Sequence, residues 1–566
     1  MSTLRAILLW LASALALALP AGAELAPPAR DMAVGLSGVV DWSVQQPFLD
    51  VMKTARPWVG HRHGEWGGVD YDALVERGLL RPDGWPARIP EDLRAIGTIL
   101  LTDLPVEAVS LSGRYLMTWR GSGRLQLAGR ADNLRYPGHN TIRFDFRPGD
   151  GGVILNIRRT DPDDPIRDIR IVKLDHLAAY QAGAVFNPDW TGRIGAFGTL
   201  RFMDWMVTND STVSDWQDRP RARDVTYTRN GVPLEIMLRL ANELDADPWF
   251  NMPHLATDDY MRRFAETVQA GLAPGRRVYV EFSNEVWNWQ FGQARWAEAQ
   301  GIARWGQKYT GVQYYGMRAA EMAAIWREVF GPGDRLVTVI ATQTGWLGRE
   351  ADLLEAPLWV AEVPGRQSPA SHFDAYAVTG YFSALLGHED KVDTVRGWLA
   401  RSLAAAEAGA EGMTGAARDA FVAAHRYDVA VALAVRELRD GSVTGDPRDS
   451  LKALFTEVLP YHRAVADRYG LDLVMYEGGT HVVGTGPATE DAALTDFFVH
   501  LNYAPEMGDL YREALAGWNS VGGQLFNVFV DVARPGRWGS WGALRHLDDD
   551  NPRWRALVGP APETGQ

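Results

Sequence analysis

The chain has 566 residues, of which 46% are hydrophobic, and a formal net charge of −14. This charge argues against nucleic acid or an anionic membrane as a partner, because both reward clustered lysine and arginine. The chain contains no cysteine, which excludes disulfides, thiolate metal sites and cysteine nucleophiles. Its length suffices for one large domain with an insertion or a second module.

The first 23 residues have the pattern of a secretory signal peptide. A short start with one arginine precedes an apolar stretch over residues 6–19, and the small residues Ala21, Gly22 and Ala23 follow. The apolar stretch is shorter than the roughly 20 residues that a membrane-spanning helix needs. We therefore predict export to the periplasm or the medium, without membrane attachment after cleavage. A retained N-terminal anchor is the alternative.

The next segment, residues 24–110, is predicted to contain the first strand of a parallel sheet, at residues 32–38. From residue 111 to 172 the hydrophobic pattern changes to a period of two, as in residues 142–146. Proline and glycine turns separate these alternating runs. Short strands at this spacing predict a small antiparallel β sandwich, inserted near the N-terminus.

Beyond residue 172, apolar strands alternate with helical segments, which is typical of a parallel sheet with helices outside it. Together with the first strand they make eight units, which predict a closed (β/α)₈ TIM barrel. Residues 173–566 form the remainder of this barrel, with added helices at about 383–465 between strands six and seven. The seven further strands are predicted at residues 199–206, 248–252, 277–283, 336–341, 375–379, 471–476 and 524–530.

Two of these strands deliver a glutamate at their C-terminal end. The fourth strand ends in Asn284 and Glu285, and the seventh ends in Glu477 before two glycines. A barrel collects its functional residues at the C-terminal ends of its strands, so the two carboxylates are expected to face each other. Retaining glycosidases need such a pair about 5 to 5.5 Å apart, because one protonates the leaving oxygen while the other attacks the anomeric carbon.

These residues resemble the clan A glycoside hydrolases, in particular retaining β-glycosidases of the family 5 type. In those enzymes the acid/base glutamate follows an asparagine at the end of strand four, and the nucleophile ends strand seven. The resemblance implies that Glu285 is the general acid/base and Glu477 the nucleophile. It also implies that Arg201, in strand two, steadies the nucleophile and that Asn284 holds the sugar 2-hydroxyl.

Further substrate-binding residues follow from the same resemblance, which covers residues 199–541 and leaves the β segment unmatched. It implies such roles for His254, at the end of strand three, and Tyr381, after strand six. The chain departs from the family where Thr379 replaces a usual histidine, and the last strand carries no tryptophan. Large aromatic side chains suit the apolar faces of sugar rings, and three of the 22 tryptophans are candidate binding residues: Trp287, Trp538 and Trp541.

The chemistry sets opposite requirements for the two glutamates. A general acid must hold its proton near neutral pH, so Glu285 is expected to be protonated, whereas Glu477 is expected to be ionised with the help of Arg201. After the glycosyl-enzyme forms, Glu285 can act as a base towards water. No metal ion or organic cofactor is required.

The predicted function is that of an exported glycoside hydrolase that cleaves β-glycosidic bonds in a polysaccharide by this two-glutamate mechanism. An exo-acting glycosidase or a transglycosylase on the same barrel is the runner-up. The alternative from another class is a non-catalytic polysaccharide-binding protein, although such a protein has no need for both glutamates. Glu285 could also be a helix cap or an ion-pair partner, Glu477 before its two glycines could mark a turn, and His254 could be an ordinary buried polar residue. The sequence indicates no particular sugar, linkage or oligomeric state.

Overall fold

The computed structural model describes residues 29–559, so the predicted signal peptide lies outside the described residues. Its centre is a closed barrel of eight parallel strands, each paired with the next along the chain. The predicted (β/α)₈ TIM barrel is therefore confirmed. The strands are β1 (Ala29–Gly35), β2 (Phe197–Arg201), β3 (Asp247–Met252), β4 (Val278–Phe282), β5 (Leu336–Ala341), β6 (Ala375–Phe382), β7 (Asp472–Thr480) and β8 (Phe526–Phe529).

The barrel strands are apolar because helices cover one face and the barrel interior fills the other. Every residue of β2, β3 and β4 is buried. The ring closes where β1 pairs with β8, with Ala33 opposite Asn527 and Gly35 opposite Phe529. Because all strands of the closed ring are parallel, their C-terminal ends meet at one rim. The peptide bond after Phe529 is cis.

The helix after β3 illustrates how an outer helix packs on the barrel. The helix after β3 begins at a Thr257 cap, whose hydroxyl accepts from Tyr260 N, and it buries Met261, Phe264 and Val268, a spacing that puts one face on the barrel. The α-helices are Tyr71–Glu76, Leu177–Gln181, Pro188–Ile194, Leu234–Glu243, Asp258–Gly271, Gly292–Trp305, Gly311–Phe330, Arg349–Glu355, Pro357–Ala361, Val392–Gly409, Gly415–His425, Asp428–Asp440, Leu451–Ala453, Leu459–Tyr469, Ala492–Asn502, Pro505–Ser520 and Pro552–Val558. None of the helices within residues 29–559 is long and apolar enough to cross a membrane.

Two antiparallel sheets lie between β1 and β2. The first antiparallel strand begins at Val59, whereas the sequence predicted a start near residue 111. The strand Leu93–Leu100 pairs with the later strand Val153–Thr160, with Ile96 opposite Ile157, so both belong to one sheet. Phe144 and Leu155, which lie on different strands of these sheets, are buried in the same continuous core as the barrel. The sheets are therefore packed against the rest of the chain. The five-stranded sheet has the order Gly68–Val69, Val59–Arg62, Leu93–Leu100, Val153–Thr160, Gly123–Gly129, and the four-stranded sheet the order Arg167–Lys173, Gly113–Arg120, Thr141–Phe146, Asp132–Gly138.

Added helices occupy the connection between β6 and β7. Three of them, from Val392 to Asp440, are followed by a short π-helical segment, Leu454–Val458, that leads into the helix Leu459–Tyr469. A buried ion pair between Lys391 Nζ and Glu437 Oε1, at 2.7 Å, ties the start of the connection to its third helix. The connection is thus a packed unit, called the helical insertion below.

One buried carboxylate joins the two ends of the barrel. Asp531 follows β8, is 1% exposed, and accepts hydrogen bonds from Ser37 N at 2.8 Å and from Trp190 Nε1 at 2.8 Å. Its own backbone N–H donates to Gly35 O at 3.0 Å. Residues near the first strand and after the last strand are therefore fixed to one another.

Replacing Trp190 with phenylalanine keeps an aromatic ring but removes the donor to Asp531. A buried acceptor without its partner costs about 1–3 kcal/mol, and the free energy of unfolding measured in urea should fall by at least that amount. Trp42→Phe is the control, because Trp42 is 53% exposed. An equal loss in both variants would contradict the role given to Asp531.

Candidate active site

A cavity of about 720 Å³ opens at the C-terminal ends of β4 to β8. Both predicted glutamates, Glu285 and Glu477, line it, together with Trp287, Tyr381 and Trp541. The remaining walls come from the loops after β4 and β5, from the ends of β6 to β8, and from the helical insertion. The barrel rim thus brings together most of the residues that the sequence singled out.

A strained turn after β4 presents Glu285 to this cavity. Ser283 and Glu285 have φ angles of +58° and +42°, a left-handed conformation that costs non-glycine residues about 1–3 kcal/mol and persists where the surroundings fix it. Two fully buried amides do so: Asn251 Nδ2 donates to Ser283 O at 2.8 Å, and Gln293 Nε2 donates to Asn284 O at 2.8 Å.

The Glu285 carboxylate is half-buried and accepts two hydrogen bonds from neutral donors. Tyr476 OH donates to Oε1 at 2.9 Å, and Asn288 Nδ2 donates to Oε2 at 2.8 Å. Trp287 packs against Tyr476 with ring centroids 6.2 Å apart, so this aromatic contact helps to fix the donor. The carboxylate therefore has a defined orientation without a cation in contact with it.

A β-bulge in β7 places two consecutive side chains in the cavity. Successive residues of a regular strand point to opposite faces, but here Val378 pairs with Met475 and Thr379 pairs with Glu477, so Tyr476 is the extra residue. Bulges of this kind re-aim side chains next to active sites. Tyr476 and Glu477 consequently both line the cavity.

Arg201 is hydrogen-bonded to three other side chains, of which Glu477 lines the cavity. Its Nη1 donates to Glu477 Oε1 at 2.9 Å, and its Nη2 donates to Glu281 Oε2 at 3.0 Å and to Asn284 Oδ1 at 2.9 Å. The guanidinium is 1% exposed. Because charge-assisted bonds of this geometry are among the strongest in proteins, Arg201 fixes Glu477 and Asn284 relative to each other.

Glu281 is a site residue that the sequence analysis missed. Its side chain is 1% exposed, and Oε2 also accepts from Trp249 Nε1 at 3.0 Å and from Asn251 Nδ2 at 2.8 Å. Its Oε1 has no hydrogen-bond partner among the described residues. The signal was present, because a glutamate inside an otherwise apolar strand must find a partner when buried.

Burial, together with the nearby negative charges of Glu285 and Asp204, raises the pKa of Glu477 to about 8. The charge of Arg201 opposes this shift but does not cancel it. Burial also raises the pKa of Glu281. The expectation that Arg201 keeps Glu477 ionised at neutral pH is wrong for the free protein. The physical reason is that burial disfavours the charged carboxylate more than the neighbouring guanidinium of Arg201 favours it.

Tyr381 and Trp541, which the sequence predicted to bind substrate, both line the cavity. Tyr381 OH donates to Glu477 Oε2 at 3.1 Å. Trp541 packs edge-on against Tyr381 at 6.0 Å and against Phe529, at the end of β8, at 5.8 Å. The loop after β8 thus places a tryptophan, Trp541, beside β8, a strand that contains no tryptophan itself.

Among the described residues, three predicted site residues besides Arg201 do not line the cavity. Asn284 is 2% exposed, and its Nδ2 donates to Asn209 Oδ1 at 3.1 Å. His254 is buried edge-on against Trp296 at 5.3 Å, and burial lowers its pKa. Trp538 is 67% exposed. Asn284 therefore belongs to the supporting network, whereas His254 and Trp538 lie outside the walls.

Within the described part of the chain, no group of three or more histidine, aspartate and glutamate side chains could hold a metal ion. The cavity walls instead carry hydrogen-bonding and aromatic groups. Some of these were missed by sequence reasoning, including Asn288, Gln343, Trp346 and His481. They lie in loops, where no hydrophobic period marks which side chains turn inward.

Comparison with known proteins adds little to this geometry. No protein-family model matches the chain, and no curated protein sequence matches it. Seven solved chains do, among them one from the structures of two fungal β-1,4-galactanases, with 10% identity and a TM-score of 0.34 over 68% of this chain and 96% of that chain. At these values the likeness carries no inference about function.

The raised pKa of Glu477 can be tested through stability. A carboxyl whose folded-state pKa lies above its unfolded value of about 4.3 stabilises the fold fully below that value, and the contribution is lost as the pH rises through about 8. The free energy of unfolding of Glu477→Gln minus that of wild type should therefore increase between pH 5 and pH 9 in denaturant titrations.

Glu76→Gln provides the matched control for this titration, because Glu76 is exposed in a peripheral helix. Its difference from wild type should stay constant over the same interval. A Glu477→Gln difference that is flat or decreases with pH would show that the buried carboxyl titrates normally.

Proposed function

We propose that the protein is a retaining glycoside hydrolase that cleaves β-glycosidic bonds in a polysaccharide. The observation that carries the proposal is the pair of carboxylates in one cavity with unlike partners. Glu477 is buried and bonded to a cation, whereas Glu285 is half-buried and bonded to neutral donors. Different environments favour different protonation states for the two carboxyl groups, as a general acid and a nucleophile require.

In the first step, an oxygen of the Glu477 carboxylate forms a bond to the anomeric carbon. The bond from that carbon to the leaving oxygen breaks, and Glu285 gives its proton to this oxygen. The two hydrogen bonds from Arg201 and Tyr381 hold Glu477 in one orientation, which lowers the entropy cost of reaching the attack geometry.

In the second step, water attacks the anomeric carbon and Glu285 takes its proton, while the Glu477 carboxylate leaves. The raised pKa of Glu477 means that the carboxylate pair retains a proton near neutral pH. The productive form is the one in which this proton resides on Glu285 and the negative charge on Glu477. The two steps together return both glutamates to their starting states.

Aromatic side chains at the mouth of the cavity support a sugar polymer as the substrate. Trp289 and Trp346 line the cavity and are 53% and 51% exposed, whereas Trp541 packs deeper against Tyr381. Exposed indole rings beside a polar cleft offer platforms for the apolar faces of pyranose rings. A volume of about 720 Å³ falls in the range of small-molecule sites, roughly 300–1,000 Å³.

Export forms part of the proposal, because extracellular polymers cannot reach an enzyme inside the cell. The pattern of residues 1–23, with small residues before Glu24, supports cleavage of a signal peptide at that point. The mature protein then begins at residue 24 and acts in the periplasm or the medium.

The proposal predicts that purified residues 24–566 cleave at least one member of a panel of soluble β-glycans and aryl β-glycosides with retained anomeric configuration. Glu285→Gln and Glu477→Gln should each lower kcat by a factor of about 10³ or more, because each group acts in the chemical step, whereas Glu76→Gln should not. Wild type and variants that all bind a glycan equally, with none cleaving any, would instead indicate a binding protein.

Tyr381→Phe tests the support of the nucleophile. The variant removes the hydroxyl that donates to Glu477 at 3.1 Å while it keeps the ring against Trp541. A hydrogen bond to a charged group contributes about 1.5–3 kcal/mol, so kcat should fall by about 10- to 100-fold. Unchanged kcat, with an altered KM only, would assign Tyr381 to substrate binding alone.

A further inference from the structure

The helical insertion supplies one wall of the cavity that contains the two glutamates. Asp449, Leu454 and Val458 line this side. Leu454 and Val458 are the first and last residues of the π-helical segment, which is the one such segment within residues 29–559. Segments of this kind occur frequently at functional sites. The insertion therefore contributes to the shape of the cavity.

Asp449 is held at the edge of this wall by its backbone. Its φ angle is +58°, which aspartate tolerates better than most residues, and its carbonyl oxygen accepts from Ser383 N at 2.8 Å. Ser383 directly follows β6, so this bond joins the start of the insertion to the turn that precedes its π-helical segment. The Asp449 carboxylate accepts no hydrogen bond from any other described residue and is exposed, so it is available to a ligand.

Two further polar groups on the cavity walls have unused hydrogen-bonding capacity. His481 follows β7, its ring packs against Tyr381 at 5.6 Å and Trp541 at 5.0 Å, and its buried Nδ1 has no partner among the described residues. The buried Oε1 of Gln343 likewise has none. Buried polar atoms without partners are uncommon, and here they occur in residues that line a cavity.

The charge of the cavity walls restricts what can bind. The acidic residues that line the cavity are Glu285, Asp449 and Glu477, and no lysine or arginine lines it within the described part of the chain. A carboxylated or sulfated sugar beside Asp449 would meet a like charge, and no lysine or arginine among the described wall residues is placed to offset it, which disfavours binding. Sugar hydroxyls, in contrast, can donate to a carboxylate and exchange hydrogen bonds with an imidazole and an amide.

We propose that Gln343, Trp346, Asp449 and His481 form a subsite that holds a neutral sugar unit of the substrate and rejects an anionic one. Asp449 accepts hydrogen bonds from the sugar hydroxyls, His481 and Gln343 supply the remaining polar contacts, and Trp346 covers an apolar ring face. This inference rests on the proposed function, because it assigns substrate contacts within the same cavity.

The test measures binding to the full mature chain with Glu285→Gln, so that the ligand is not consumed. The probes are neutral β-1,4-linked hexasaccharides of glucose and mannose, together with the matching glucuronate and mannuronate hexamers. Asp449→Ala removes the carboxylate, and Asp449→Asn removes only its charge and tolerates the left-handed backbone. Asp419→Ala, on an exposed position of the same insertion, is the matched control, and thermal unfolding verifies that each variant is folded.

We expect one neutral hexamer to bind and its uronate counterpart to bind at least tenfold more weakly. Asp449→Ala should raise the Kd of the neutral hexamer about tenfold or more, the loss of a bond to a charged acceptor. Asp449→Asn should reduce the ratio of the uronate Kd to the neutral Kd. Asp419→Ala should change neither Kd. Equal binding of the uronate, an unchanged Kd in Asp449→Ala, or failure of every neutral hexamer to bind overturns the subsite.

The subsite and the proposed function fail in distinguishable ways. If wild type cleaves a neutral glycan but Asp449→Ala has the same KM and kcat as wild type, the subsite is wrong and the catalytic roles stand. If neutral hexamers bind through Asp449 but wild type cleaves none of the glycans, the catalytic roles are wrong and the subsite belongs to a binding protein.

Discussion

One buried guanidinium sets the arrangement of the barrel rim that carries Glu285 and Glu477. Arg201 lies at the end of β2 and is bonded to Glu281 on β4, to Asn284 just beyond it, and to Glu477 on β7. A buried cation without a partner is strongly unfavourable, so these elements must keep their relative positions wherever Arg201 stays buried. Burial of the Glu477 carboxylate outweighs its attraction to this cation, so the pKa of Glu477 is raised.

Two departures from regular backbone complete the site around this network. The left-handed turn at Ser283 and Glu285 presents one carboxylate, and the bulge at Tyr476 presents the other carboxylate with its neighbour. Buried amides, from Asn251 and Gln293, stabilise the turn. The cost in local conformational energy is thus offset by hydrogen bonds that form only in this backbone arrangement.

The sequence was sufficient to predict the barrel because each of the eight strands is an apolar run at a regular spacing. It was also sufficient to place Glu285 and Glu477, since strand ends in a closed barrel share one rim. The bulge at Tyr476 could not be predicted, because hydrophobic alternation assumes a regular strand. The raised pKa of Glu477 was missed because it depends on burial and on the charges of Glu285 and Asp204, which are distant from Glu477 in the chain.

The insertions show the same limit. Alternation identified the antiparallel segment, but the strand Leu93–Leu100 has buried residues in succession, so period two does not mark it and the segment was predicted to begin too late. The helical insertion was predicted from its alanine-rich composition, whereas its contribution to the cavity wall depends on Asp449, a residue in a turn.

The central claim is that Glu477 forms a covalent bond to the sugar, and trapping that species tests it most directly. Wild type is incubated with a 2-deoxy-2-fluoro β-glycoside of the sugar it cleaves, with an activated leaving group, and digested for mass spectrometry. The account predicts one glycosyl adduct, on the peptide that contains Glu477, and none in Glu477→Gln. An adduct on another residue, or inverted product without any adduct, would contradict it.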